Sequence, residues 1–236
     1  GGPYRASRVE LPGQKLAIAD DFFKKGKYSK AAVEYKDFLA TFAGSERSDF
    51  AQFRLAECFR IDEQYSLAAV EYRIVVGDYG YSEFVDDAFF LEGLCAFKQA
   101  PRSERDQTKS YKALERVNRF LQLFPKSPRC EEARAALIEL HERLGKKDFL
   151  SAKLYFSDKR FDAALIYFDK IIEQYSLAVW AERSYYYRGV IDEERGLIDE
   201  AVCEYGEAIS SANDFPEKED ANRRLKALTS GGISER

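Results

Sequence analysis

Few side chains in this sequence can bind a metal or attack a substrate: one histidine, His141, and four cysteines, Cys58, Cys95, Cys130 and Cys203. The cysteines form no Cys-x-x-Cys pair, and a single histidine cannot complete a zinc tetrad, so no metal site is read. They sit inside apolar helical patterns and read as buried free thiols. Glu131-Glu132 and Glu193-Glu194 are adjacent carboxylates. Neighbours on a helix point in different directions, so both pairs read as solvated faces. His141, set among Glu139, Glu142 and Arg143, reads as an exposed structural histidine. No nucleophile motif or phosphate loop occurs, so neither catalysis nor a cofactor is expected. What remains is recognition. Leu16, Phe23 and Lys24, then Phe53 and Arg60, then Phe90, Leu94, Phe97 and Lys98 combine apolar groups with cations at recurring spacings. One reading is an apolar trough rimmed by Lys24, Arg60 and Lys98, suited to an extended peptide with aromatic side chains and a terminal carboxylate. Arg offers a forked donor for that carboxylate. The other reading is that the rings pack against neighbouring helices.

The elements that would position these residues are repeats. Tyr28 to Tyr35 reads YSKAAVEY and Tyr65 to Tyr72 reads YSLAAVEY, 37 residues apart. The same register returns at Ser110, Phe161 and Ile198. Each copy carries Ala three residues in: Ala31, Ala68, Ala113, Ala164 and Ala201. Apolar residues follow along one helical face, as at Tyr35, Leu39 and Phe42 in the first copy. Twelve residues before each alanine, or a little further in the third copy, stands another small residue: Ala19, Ala56, Gly93, Ala152 and Gly189. Two helices of a hairpin that cross at small residues approach closely, and a bulky side chain there costs about 1–3 kcal/mol by overpacking. The expected fold is all-α: a tetratricopeptide-like right-handed superhelix of five helix hairpins, with a long bridging helix and a C-terminal capping helix.

Turns are expected at Gly26-Lys27, Asp62-Glu63, Lys159-Arg160 and Gly196-Leu197 within hairpins, with Ser or Asp capping the next helix between them. The third repeat carries an insertion at Ala100 to Gln107. Ala133, Ala136, Leu137, Leu140 and Leu144 share one face, which predicts a single helix from about Glu131 to Ser157, weakly interrupted at Gly145. It would join repeats one to three (13–128) to repeats four and five with a cap at Pro216 to Leu228 (129–228). Gly1 to Pro12 and Thr229 to Arg236 are expected to fray.

Composition narrows the function classes. A net charge of -4 argues against general nucleic-acid binding. No apolar run is long enough to span a bilayer. The chain opens Gly-Gly-Pro and contains no Met, which reads as a processed product whose targeting segment would lie outside it.

The five repeats of longer-than-usual period, the insertion RSERDQTKSY (Arg102 to Tyr111), the FPKSP turn (Phe124 to Pro128), and the long helix running into LGKKDFLSAKLYFSDKRFDAALIYFDKIIEQY (Leu144 to Tyr175) resemble the BamD family. These are lipoproteins of the bacterial outer-membrane β-barrel assembly machine. The resemblance covers residues 14 to 212. It implies a periplasmic scaffold lipid-anchored to the outer membrane through an N-terminal Cys; none precedes Cys58 here. It implies that the N-terminal repeats meet unfolded β-barrel proteins and that the C-terminal repeats dock a POTRA domain of BamA. In repeats four and five the recognition register holds Phe149, Lys153, Phe156 and Tyr186, a chemically different set that reads as the seat of that second partner. Where family members can place an Arg on the second helix of repeat four for this contact, Tyr167 stands here. The alternative is a generic tetratricopeptide adaptor of another cell-envelope complex.

Overall fold

A computed structural model describes residues 11–99 and 107–231, and among these there are only helices. In chain order they are α1 (Pro12–Lys24), α2 (Tyr28–Thr41), α3 (Ser48–Ile61), α4 (Tyr65–Asp78), α5 (Val85–Lys98), α6 (Thr108–Leu123), α7 (Cys130–Ser157), α8 (Phe161–Gln174), α9 (Val179–Glu194), α10 (Ile198–Ser210) and α11 (Lys218–Gly231). The chain divides into two compact units, Gly1–Ala133 and Arg134–Arg236, and α7 begins in the first and continues into the second. Most of the third-repeat insertion, and most of the two segments expected to fray, lie outside the described residues. Within the described part, α1 already begins at Pro12, whose fixed φ suits a first helical turn, and α11 runs on to Gly231.

The hairpins close where the small residues fall. Ala19, Ala31, Ala56, Ala68, Ala113, Ala152, Ala164 and Ala201 are all 0% exposed. A Cβ on Gly189 would stand 2.8 Å from the Tyr205 ring, and one on Gly93 would stand 2.8 Å from Cγ of Arg116. Glycine is therefore required in hairpins three and five by the side chain opposite.

The turns inside hairpins one, two, four and five share one geometry. Gly26, Glu63, Lys159 and Gly196 each stand seven residues past the small residue, and each has positive φ: 69°, 60°, 56° and 75°. In each, the next residue's N–H reaches back five residues to a carbonyl: Lys27 to Phe22, Gln64 to Phe59, Arg160 to Tyr155, Leu197 to Asp192. This is the Schellman ending, which satisfies carbonyls that a helix end otherwise leaves open.

The turns between hairpins differ from expectation. The residues preceding α3 and α5, Arg47 and Phe84, make no side-chain cap, nor does Ala178 before α9. Instead the Oγ atoms of Ser82 and Ser127 accept the N–H two residues on, from Phe84 and Arg129, each at 3.2 Å. The serines shape the turn rather than cap the helix. Acidic first turns, such as Asp86 and Asp87 in α5 and Glu131 and Glu132 in α7, complement the helix dipoles.

In the second unit, Gly145 does not interrupt α7. It lies beneath Trp180, whose Cδ1 would be 3.0 Å from an added Cβ. The indole N–H donates to the Glu142 carbonyl at 2.9 Å, and the Val179 N–H donates to Glu142 Oε1 at 2.6 Å. His141, expected exposed, is buried, and its Nδ1 accepts the Leu177 N–H at 3.4 Å. Burial holds its pKa below the ordinary histidine value. It is one of the α7 residues that anchor the loop leading into α9. Cys58, Cys95 and Cys130 are buried free thiols, whereas Cys203 is exposed on the outer side of α10. Burial pushes the Cys58 and Cys95 thiols up to about 12, so neither is a nucleophile at neutral pH.

Candidate functional site

The recognition register places its residues at very different depths. In the first unit Leu16, Phe53, Phe90 and Phe97 are 7%, 8%, 0% and 5% exposed. Phe53 stacks on Phe84 at 4.9 Å between ring centroids and tilts against Tyr72 at 5.7 Å, while Phe90 meets Phe120 at 5.2 Å. These rings join one helix to the next, and they do not floor an open trough. Burying each contributes about 1.5–3 kcal/mol, so packing takes them wherever a neighbouring helix offers apolar surface. Phe23 is half-buried, edge-on to Tyr28 at 5.3 Å and under the Arg54 guanidinium at 4.6 Å. Lys24 and Lys98 are exposed, and Leu94 is partly exposed.

Three members of the register meet at one place. A small cleft between hairpins two and three is lined by Arg60, Tyr65, Leu94, Cys95 and Lys98. Its walls are an aliphatic side chain, a ring and a thiol, and its cations come from two helices. Arg60 is not a free cation, however. Its fork closes on Glu57, with Nε to Oε1 at 2.8 Å and Nη2 to Oε2 at 2.9 Å, and the Tyr72 hydroxyl also donates to Glu57 Oε1. Burial works against a charge on Glu57, but the hydrogen bonds from Arg60 and Tyr72 outweigh it and hold the carboxyl below its ordinary value. Hairpin one repeats the motif: the Tyr35 hydroxyl donates to Asp20 Oδ1 at 2.5 Å. In hairpin five the Tyr205 hydroxyl donates to Glu193 Oε2 at 2.7 Å. A tyrosine on the second helix thus clamps a carboxylate on the first in three hairpins. The sequence shows the recurrence of Tyr in one register, but the acid stands one residue past the small residue in hairpins one and two and four past it in hairpin five.

In the second unit two of the expected docking residues, Phe149 and Tyr186, are buried, and Lys153, Phe156 and Tyr167 are half-buried. Phe149 is 2% exposed and touches Trp180, Phe168 and Tyr187 at 5.1, 6.0 and 5.7 Å. Tyr186, 8% exposed, donates its hydroxyl to Asp220 of α11 at 2.7 Å, so the chain's own last helix covers it. Lys153 is half-buried with its ammonium 3.8 Å from the Tyr187 ring centroid, and burial lowers its pKa. Phe156 stands edge-on to Tyr187 at 5.0 Å, and Tyr167 stacks on Tyr155 at 5.6 Å. Around them runs a polar lattice the sequence did not suggest. Arg183 forks onto Glu217, the Tyr187 hydroxyl donates to Glu217 at 2.8 Å, and Arg224 bridges Asp220 and Glu193. Exposed apolar side chains of α7 lie beside the expected set, not in it: Ile138, Leu150 and Leu154 are 48%, 47% and 62% exposed.

Helix hairpins closed on paired small residues, four of them ending the first helix in the same left-handed turn, define a tetratricopeptide-type repeat protein. The profile of the family described as "YfiO: Outer membrane lipoprotein", to which the BamD proteins belong, matches residues 14–205, and the chain belongs to that family. Comparison with curated proteins finds no match. Among solved structures, the chain is similar to the TPR2AB domain of yeast Sti1 in its pHSP90 complex, at 16% identity and TM-score 0.51, covering 94% of this chain and 84% of that one. It is also similar to a thermophilic TPR protein of Thermus thermophilus, at 15% identity and TM-score 0.40, covering 93% of this chain and 100% of that one.

Proposed function

We propose that the chain is a periplasmic scaffold of outer-membrane β-barrel assembly, held at the membrane by an N-terminal lipid. Its N-terminal unit holds unfolded barrel segments, and its C-terminal unit docks the POTRA region of BamA. Family membership and a fold whose yeast neighbour is a complex with pHSP90 support a polypeptide-holding role. The observation that carries the substrate half is the cleft of Arg60, Tyr65, Leu94 and Lys98, which sets an apolar wall beside an exposed ammonium. An extended peptide ending in an aromatic residue would lay its ring against Leu94 and Tyr65 and bring its carboxylate to Lys98. Arg60, already neutralised by Glu57, would act mainly as part of the wall.

The clean probes are therefore Leu94 and Lys98. Phe53→Ala would remove a core ring at about 3–5 kcal/mol, and Arg60→Ala would strand the half-buried Glu57 carboxylate, so both would confound binding with folding. A fluorescently labelled barrel-strand peptide with a C-terminal aromatic residue should bind the wild type. It should lose about tenfold, or 1.4 kcal/mol, on Leu94→Asp and on Lys98→Glu. Unchanged affinity in both variants, with native helicity, removes the cleft as the site.

A further inference from the structure

Two positions on the first helix of each hairpin, two residues before and two after the small residue, meet the hairpin that precedes. In hairpin three they are Leu91 and Cys95, 2% and 1% exposed, and in hairpin five Tyr187 and Ile191, 8% and 0% exposed. In hairpin two they are Arg54, laid over the Phe23 and Phe50 rings, and Cys58, 1% exposed. Tyr187 shows what covers them: Phe149 and Phe156 from the preceding first helix and Phe168, stacked at 5.7 Å and 7°, from the preceding second helix. In hairpin one, the first of the register, they are Ala17 and Asp21, both exposed.

Hairpin four breaks this pattern. Its two positions are Leu150 and Leu154, the apolar pair of an internal hairpin, yet they are 47% and 62% exposed. The reason lies in the element order, since α7 continues unbroken where another hairpin's second helix would have intervened. Arg143, Lys147, Leu150 and Leu154 fall at i, i+4, i+7 and i+11, one stripe of α7, with Lys146 exposed at its side. The one aspartate within this stretch, Asp148, points inward and is paired with Lys170 at 2.8 Å. The stripe is thus apolar at its C-terminal end and basic at the other, on a chain whose net charge is -4.

We infer that this stripe is a stacking slot for an amphipathic helix of a partner protein. The guest helix would set two apolar residues one turn apart against Leu150 and Leu154 and carry carboxylates over Lys146 and Lys147. Charge complementarity and the repeat register together fix the occupant: the covering element is a helix in hairpins two, three and five, and only an acidic one suits this rim. The inference deepens the partner-docking half of the proposed function. Its test uses a probe containing no barrel-assembly component, so either can fail while the other stands.

The probe is a labelled amphipathic peptide of about 20 residues, long enough to be helical, with leucines at i, i+4, i+7 and i+11 flanked by glutamates. A twin carries lysines in place of the glutamates. Both are titrated by fluorescence anisotropy into the full chain and into the Leu150→Glu/Leu154→Glu and Lys146→Glu/Lys147→Glu variants. Leu150, Leu154 and Lys146 are exposed and Lys147 is half-buried, and circular dichroism checks that the variants keep native helicity. The expected result is saturable binding of the acidic peptide by the wild type, weakened at least tenfold in each variant, and no saturable binding of the lysine twin. Equal binding of the twins, equal binding by wild type and variants, or no binding at all overturns the slot. So does binding of the wild type to phosphatidylglycerol vesicles that is lost in Leu150→Glu/Leu154→Glu, which would assign the stripe to a lipid surface instead.

Discussion

At the scale of single residues, the left-handed turn position carries the sharpest consequence. Gly26 and Gly196 occupy it without cost, but Glu63 and Lys159 place a Cβ in a conformation that disfavours L residues by about 1–2 kcal/mol. No glycine signal marks these two turns in the sequence; Asp62-Glu63 and Lys159-Arg160 are legible only because the register demands a turn there. Glu63→Gly and Lys159→Gly are each expected to stabilise the protein by up to about 1 kcal/mol, because relief of the strained φ outweighs the added freedom of the unfolded chain. A rise in urea midpoint with unchanged slope checks it. A fall in midpoint would show that the native turn holds these side chains by contacts stronger than the strain.

At the scale of elements, helix spacing reveals which side chains face inward but not which neighbour meets them. Phe53, Phe90 and Phe97 lie on one face in sequence, as expected. That face proved to be a contact between helices, because Phe84, Tyr72 and Phe120 stand opposite. The same limit explains His141: its position among charged residues suggests a solvated face, yet the loop before α9 folds over it and supplies a donor. What was legible was steric. The long helix follows from Ala133, Leu137, Leu140 and Leu144, and the hairpin crossings from the small pairs, since both depend on residues of one element or one hairpin. Gly189 states the steric argument most strictly. Gly189→Ala would force a Cβ to 2.8 Å from the Tyr205 ring. That ring is held in place by its hydroxyl bond to Glu193, itself bridged to Arg224. The ring cannot swing away without breaking that bond, so destabilisation of about 1–3 kcal/mol is expected, read as faster hydrogen exchange in α9 and α10. Exchange unchanged from wild type would mean that the two helices can part freely.

At the scale of the whole molecule, the two units treat their register positions differently. In the first, the Arg60, Leu94 and Lys98 positions converge on a cleft, where Glu57 neutralises the arginine and Lys98 is the exposed cation. In the second, Asp220 of α11 and Glu217 just before it bond to Tyr186 and Tyr187 of hairpin five, while Leu150 and Leu154 of α7 stay exposed. Sequence spacing distinguished the two halves by residue chemistry, but the covering of Tyr186 depends on where the last helix folds back, which no pattern within the repeats encodes.

That the N-terminal cleft holds an unfolded barrel segment is tested most directly by photo-crosslinking. A benzophenone amino acid is placed at Leu94, in the cleft, and separately at Val33, 64% exposed outside it on α2. Each full-length variant is mixed with a urea-unfolded β-barrel protein, diluted and irradiated. The expected result is a crosslink from position 94 that a strand peptide ending in an aromatic residue competes away, with little from position 33. Equal labelling from both positions, or none from position 94, would contradict it.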